Sequence, residues 1–499
     1  MIFTGSKTQP AFIWLLLIFA LWTLAVSNNS FWLDEAHGAG WKAKQSTLAE
    51  WWHDDFSQKG STDSQIPLYV FYIWVYAKIF GSNEWVLRAA NLPWVFVGFW
   101  VWQKFFGAKN FLKWPITVAA ACSPFLWYYL NEARPYAMQV GGSFLIAGAL
   151  QKIYENPSDQ KSRGGMVALC VGLISLSGSN LLGQLWAGAA IATALLVFGW
   201  NQTKALVQRH WVLCTTTFFA LAGLAIYYLW TLQSDSRATS VGATDAKNFV
   251  FIIYELFGFS GLGPGRLEIR SNGLTSFRPY VAWIFAYAIV LAPIVFTGAM
   301  ELWRNVPKKI LGLTILFFGG VALFLAVIGI TSQFRLLGRH FSPALTLILF
   351  LLGTGISRMW LSESWMKKFC VITFVALSLV SCLSLRFASR HAKDDYRGAA
   401  AIARVALQDG KIVWWNADQR AAGYYRVANR FNDAPANAVR FFLNPKPEDL
   451  QNTLEPYVVI CSKADVYDER GILFDFLRAR NFQIATNLPA FTVWHKIEE

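Results

Sequence analysis

The chemistry this chain could carry out begins with carboxylates and arginines at the ends of apolar blocks. Asp34 and Glu35 are adjacent in Ser30-Phe31-Trp32-Leu33-Asp34-Glu35-Ala36-His37, just after the first block. Two neighbouring carboxylates in an aromatic setting at a membrane surface are costly to desolvate, and desolvation raises a carboxyl pKa. A general base poised near neutral pH needs that shift. The bland reading of an Asp-Glu pair is a solvated loop start; the flanking Trp32 and His37, candidate substrate contacts, weigh against it.

Glu132 and Arg134 fall in Tyr128-Tyr129-Leu130-Asn131-Glu132-Ala133-Arg134-Pro135-Tyr136, a very short connection between two blocks. Opposite charges two residues apart can neutralise each other's field at a bilayer mouth, where charge is otherwise expensive. Tyr136 is a candidate contact beside them. A third set, Arg335, Arg339 and His340, lies in Gln333-Phe334-Arg335-Leu336-Leu337-Gly338-Arg339-His340-Phe341-Ser342-Pro343. The planar guanidinium fork suits bidentate capture of a phosphate, and Arg88, Arg266, Arg270 and Arg278 are similarly placed. Arginines beside acidic groups suggest an anionic ligand arriving laterally, such as a lipid phosphate. Contact with ordinary headgroups competes with that reading for any single arginine. His53-Asp54-Asp55 is not read as a metal site, because adjacent helical residues face different sides.

These residues need elements to hold them, and composition says which. Of 499 residues, 55% are hydrophobic and only 15% charged, which excludes a soluble globular protein. The apolar residues come in blocks of the length a helix needs to cross a bilayer: about 11–26, 66–80, 86–103, 114–130, 136–151, 166–180, 181–200, 211–230, 280–300, 310–330, 341–357 and 369–385. Block 11–26 is read as a retained span, since its leading region holds only Lys7. Block 66–80 is short, begins at Pro67 and carries Lys78; it decides the topology.

If 66–80 lies in the interface and the N-terminus is cytoplasmic, every cytoplasmic loop is basic: Lys104, Lys109, Lys113; Lys152, Lys161, Arg163; Lys204, Arg209; Arg304, Lys308, Lys309; Arg358, Lys367, Lys368. That is the positive-inside pattern. It predicts eleven transmembrane helices and places the acidic pairs and remaining arginines on the outer face, so that Asp34 and Glu132 can share a site. The net charge of +14 is then mostly a topology signal, with no call for nucleic acid. The six scattered cysteines imply no disulfide framework or thiolate metal site.

The expected domains are a transmembrane domain over 1–389, with long outer loops 27–85 and 231–279, and a soluble α/β domain over 390–499. In the first loop, Ser46 to Trp52 reads as a helix start with Glu50 in its first turn. The Gly- and Pro-rich run Gly258–Arg266 in the second implies special backbone geometry or a mobile flap. In the last domain the pattern predicts helices at about 395–408, 418–428 and 467–480, strands at 411–416 and 457–461, and a strand or hairpin to 495. No phosphate-binding glycine loop occurs there, so nucleotide binding is not supported.

Several segments together resemble the GT-C superfamily of integral-membrane glycosyltransferases. The branch most alike holds dolichyl-phosphate-mannose–protein mannosyltransferases and lipid A aminoarabinose transferases. They are Phe31-Trp32-Leu33-Asp34-Glu35; Gln65-Ile66-Pro67-Leu68-Tyr69 running to Phe80-Gly81-Ser82-Asn83-Glu84-Trp85-Val86-Leu87-Arg88; Asn131-Glu132-Ala133-Arg134-Pro135-Tyr136; Gly338-Arg339-His340-Phe341-Ser342-Pro343; and Asp394-Asp395-Tyr396-Arg397. Gln65-Ile66-Pro67 stands where the family usually shows His-Pro-Pro.

The resemblance implies a polytopic α-helical membrane enzyme of the bacterial inner membrane, with its site and C-terminal domain on the periplasmic side. It implies transfer of a sugar from a polyprenyl phosphate to a hydroxyl of a lipid, polysaccharide or protein. Asp34 would be the base, with Glu35 and Glu132 positioning the acceptor or holding a divalent cation. Arg88, Arg134, Arg335, Arg339 and His340 would face the donor phosphate, and Trp32, His37, Tyr136 and Arg270 the substrates. The alternative is a transporter or flippase for a lipid-linked anion. Such a protein should show inverted repeats and polar breaks near the midplane of its helices; no repeat is evident here.

Overall fold

The computed structural model describes residues 9–56, 64–105, 110–155, 162–232, 244–332, 334–427 and 439–496. Lys7, Lys109, Lys161 and Gln333, and stretches 57–63 and 233–243 of the two long loops, lie outside them. The chain divides into two compact units. The larger comprises Met1–Val26, Ala49–Tyr72 and Arg88–Ala388; the smaller comprises Ser27–Leu48, Ile73–Leu87 and Ser389–Glu499.

The larger unit is helical. Among the described residues, six helical stretches are long and apolar enough to cross a membrane: Leu181–Arg209, Trp211–Leu232, Arg266–Asn305, Lys308–Thr331, Gly338–Trp360 and Trp365–Phe387. Their apolar side chains point outward as well as inward. On Trp211–Leu232, Phe218, Phe219, Ile226 and Leu229 are all more than three-fifths exposed, as on a lipid-facing surface. The chain is an integral, multi-pass membrane protein. Pro67–Phe80 is a helix of 14 residues, about 21 Å long at 1.5 Å per residue.

Helices in this unit meet through small residues, as membrane helices do when no hydrophobic drive separates them from lipid. Asn91–Phe105 lies against Tyr136–Glu155 at Gly98 and Gly141. A Cβ on Gly98 would sit 2.3 Å from the Gly141 carbonyl oxygen, so any side chain there separates the helices. Around this seam Trp22, Phe99, Trp102 and Phe144 form the buried core, with Trp102 stacked on Phe144 at 5.2 Å. The run Gly258–Gly265 is packed in place: the Gly261 amide donates to Ser381 Oγ at 3.1 Å, and that hydroxyl donates to the Gly258 carbonyl at 2.9 Å. Gly258, at φ +89°, has the special backbone geometry expected of this run.

The smaller unit is α/β. Strands β1 (Val413–Asn416), β2 (Val439–Phe441), β3 (Val458–Ser462), β4 (Phe482–Leu488) and β5 (Phe491–Lys496) form one sheet in the order β2-β1-β3-β5-β4. β2, β1 and β3 are parallel, and β5 is antiparallel to both β3 and β4. β1 and β3 are buried along their whole length, which is why they read as continuous apolar runs rather than alternations. β2 and the short helix Pro447–Gln451 carry no such pattern and were not expected. The single helix expected at 467–480 is two, Ala464–Tyr467 and Ile472–Ala479. Both carboxylate oxygens of Asp468 accept amides, from Leu473 and Phe474 at 3.1 Å each. This starts a new helix where periodicity alone continued the old one.

Candidate active site

In the smaller unit the Asp34 segment is built as a short π-helix, Glu35–Gly40, with Asp34 at its N-cap. Such wide turns are rare and recur at functional sites. Glu35 is fully buried: its Oε2 accepts from Lys393 Nζ at 3.1 Å and from the Trp32 amide at 3.4 Å. Asp34 and Trp32 are half-buried. The two adjacent carboxylates thus divide, one consumed in holding its own turn and the other partly open to solvent.

His37 lies between Asp418 and Arg420: its Nδ1 is 3.1 Å from Asp418 Oδ2 and its Nε2 is 3.2 Å from Arg420 Nη1. A guanidinium only donates, so Nε2 must accept and the proton sits on Nδ1, donated to Asp418. The other Asp418 oxygen accepts the Ala421 amide at 2.7 Å, capping helix Gln419–Tyr424.

The segment leading into Asp34 is fastened by a second network. The Tyr425 hydroxyl accepts the Phe31 amide at 2.8 Å and donates to Glu84 Oε1 at 3.0 Å. Arg397 pairs with the same Glu84 oxygen at 2.6 Å and donates to the Asn28 carbonyl at 2.8 Å. Its amide donates to Ser30 Oγ at 3.0 Å. Glu84 and Arg397, legible only as parts of motifs, are therefore the mounting of the Phe31–Glu35 turn. Burial and the Glu84 charge together hold the Tyr425 phenol above its ordinary pKa. Burial, with Arg426 acting in the same direction and Glu84 opposing, brings the Lys44 amine down to about 8. Removing the Tyr425 hydroxyl leaves the buried Phe31 amide without its acceptor and takes one donor from Glu84, which keeps Arg397. Tyr425→Phe should cost about 1–3 kcal/mol, read as a lower melting temperature of the purified protein; an unchanged one would mean the network does not support the turn.

In the larger unit Glu132 is completely buried, 3.7 Å from Arg266. Its turn is pinned by Asn91, whose Nδ2 donates to the carbonyls of Tyr129 at 3.3 Å, Leu130 at 3.4 Å and Glu132. The Tyr69 hydroxyl donates to Asn91 Oδ1 at 3.2 Å. Arg266 is also 3.9 Å from Glu255 Oε1 and lies over the Tyr128 ring at 4.6 Å. Arg339 lies over Tyr136 at 5.8 Å, and Tyr136 meets Tyr129 edge-on at 5.0 Å. Aromatic faces attract cations and hold guanidiniums in plane. Burial raises the Glu255 carboxyl above its ordinary pKa, and Glu132 adds to this. Arg266, the Gly338 amide and Arg339 oppose it. The Arg134 amide donates to the Glu132 carbonyl at 2.7 Å.

The structure thus gathers Glu132, Arg134, Tyr136 and Arg339. Arg88 is fully buried in the same unit, and Arg335 and Arg270 are exposed. His340 is engaged locally, its Nδ1 accepting the Leu337 amide at 3.2 Å and its ring stacked on Phe334. Sequence reasoning missed Asn91, Glu255, Asp418 and Arg420 altogether, and left Arg266 undistinguished among outer arginines. A carboxylate inside the amphipathic helix Ala246–Leu256 was the one available signal for Glu255.

No family model and no curated protein sequence matches the chain. In structure it is similar to ArnT from Cupriavidus metallidurans in the apo state, with TM-score 0.56 and 11% identity over 99% of each chain. It is similar also to the same protein bound to undecaprenyl phosphate, with TM-score 0.52, 11% identity and the same coverage. The arabinofuranosyltransferase AftD from mycobacteria aligns at TM-score 0.47 and 11% identity, over 99% of this chain and 40% of AftD. The chain shares the fold of ArnT from Cupriavidus metallidurans over nearly its whole length.

Proposed function

We propose that this membrane protein is a glycosyltransferase that moves a sugar from a polyprenyl phosphate to an acceptor hydroxyl at the outer membrane face. The observation that carries the reading is the fold, shared end to end with a protein that binds undecaprenyl phosphate. Arg266 beside Glu132 and Glu255, with Arg339 over the Tyr136 ring, supports it. Eleven crossings belong to the proposal, with Pro67–Phe80 lying at the outer surface and residues 390–499 on the same side, in the inner membrane of a bacterium.

In the proposed reaction Asp34 takes the proton of the acceptor hydroxyl. The acceptor oxygen attacks the anomeric carbon as the bond to the phosphate oxygen breaks, which inverts that centre. The departing polyprenyl phosphate carries the charge that Arg339, Arg134 and Arg266 stabilise, a role suited to forked, permanently charged donors. Glu35 holds the turn that presents Asp34. A divalent cation would need open carboxylate oxygens. Of Asp34, Glu35 and Glu132, Glu35 already accepts from Lys393, and the reaction above is written on the chain's own residues alone.

Arg339→Ala should weaken binding of undecaprenyl phosphate at least tenfold in titrations of the purified protein. Equal losses for donor and acceptor would argue against a phosphate role. Mass spectrometry of glycolipids and glycans from cells with and without the protein tests the reaction itself, and identical profiles would count against a transferase.

A further inference from the structure

We infer that Glu255 is a positioning residue for the donor phosphate, acting through Arg266 and the Gly338–Arg339 turn; the inference rests on the transferase reading above. Glu255 sits near the end of helix Ala246–Leu256, which opens on a capping box between Asp245 and Asn248. The helix shows Val250 and Ile253 outward, both more than half exposed, and turns Ile252 inward. Glu255 follows Ile252 by three residues and so shares the inner face. A charge on that face is costly unless it is paired.

Its two oxygens have separate partners. Oε2 accepts the Gly338 amide at 2.9 Å, and Oε1 lies 3.9 Å from Arg266 Nη2. One carboxylate therefore joins the backbone that carries Arg339 to the guanidinium that faces Glu132. The fit depends on glycine: a Cβ on Gly338 would be 2.2 Å from Oε2 and 2.9 Å from the Glu255 Cβ. The helix and the residues just before it also grip the segment that leads into the turn. The Thr244 hydroxyl donates to the Phe334 carbonyl at 2.6 Å and accepts the Leu336 amide at 2.9 Å. Asn248 Nδ2 donates to the Leu336 carbonyl at 3.4 Å. An amide oxygen would satisfy Gly338 as well as a carboxylate does. The negative charge is needed only by the arginines, and those are the groups proposed to meet phosphate.

The test is titration of undecaprenyl phosphate into the full-length protein in nanodiscs, together with donor KM and kcat, for wild type, Glu255→Gln, Glu255→Asp, Gly338→Ala and Arg339→Ala. Glu255→Gln should weaken binding and raise donor KM about tenfold, with kcat at saturating donor within twofold and melting unchanged. Glu255→Asp should recover most of the loss. Gly338→Ala, which must displace the carboxylate, should match Glu255→Gln. If wild type binds and Arg339→Ala does not, but Glu255→Gln and Gly338→Ala behave as wild type, the inference fails and the transferase reading stands. Equal falls in kcat, affinity and melting temperature would make Glu255 merely structural and also overturn it. Wild type that neither binds undecaprenyl phosphate nor transfers sugar would instead refute the functional reading.

Discussion

Asp34→Asn should abolish sugar transfer while leaving the protein folded and able to bind its donor. Positioned general bases contribute about 10²–10⁴-fold, so kcat should fall by at least that lower figure. The substitution keeps size and hydrogen-bonding shape and removes only the basic oxygen. Asp34 is the half-buried member of the pair, and the turn beneath it is held by Glu35, Lys393, Tyr425 and Arg397. None of those supports is lost in the variant. Near-wild-type turnover would eliminate Asp34 as the base. The matching change Glu35→Gln removes the charge facing Lys393 and should act through the turn, lowering stability together with activity.

The second large effect concerns Arg266. Arg266→Ala leaves the Glu132 carboxylate fully buried with its charge uncompensated. Breaking a buried pair by removing one partner costs about 3–5 kcal/mol, and the low end applies because Arg266 is itself partly exposed. The single variant should melt well below wild type in detergent. Glu132→Gln combined with Arg266→Ala removes both charges and should recover at least half of the loss, since the penalty lies in the orphaned charge. A double variant no more stable than Arg266→Ala would show that Arg266 contributes through its contact with the Tyr128 ring instead. Donor affinity should stay low in both variants, which separates folding from binding.

Much of the architecture was legible because membrane crossing imposes long apolar runs, and each of the six long helical stretches overlaps an expected block, whereas Ala246–Leu256 lies in none. Buried strands β1 and β3 were legible for the same reason. The site was legible in part. Asp34, Glu132, Arg134 and Arg339 stand out because charge beside apolar blocks is rare. Their supports do not stand out. Tyr425 and Arg397 act on Phe31 and Glu84 from more than 300 positions away in the chain, and nothing local marks such a pairing. Arg266 and Arg270 read alike, and the backbone path from Gly258 to Gly265 sets only the first against Glu132.

By itself the sequence determined that this chain lives in a membrane, which blocks are helical, and that acidic and basic residues collect at block ends. Those properties follow from hydrophobicity and charge cost, which act residue by residue. Only the tertiary structure decided which charges meet: Glu35 with Lys393, Glu132 with Arg266, and Glu255 with both Arg266 and the Gly338 amide. A charge can be buried once its partner comes within a few ångströms. That distance is set by how helices and turns from remote parts of the chain pack, not by the residues on either side.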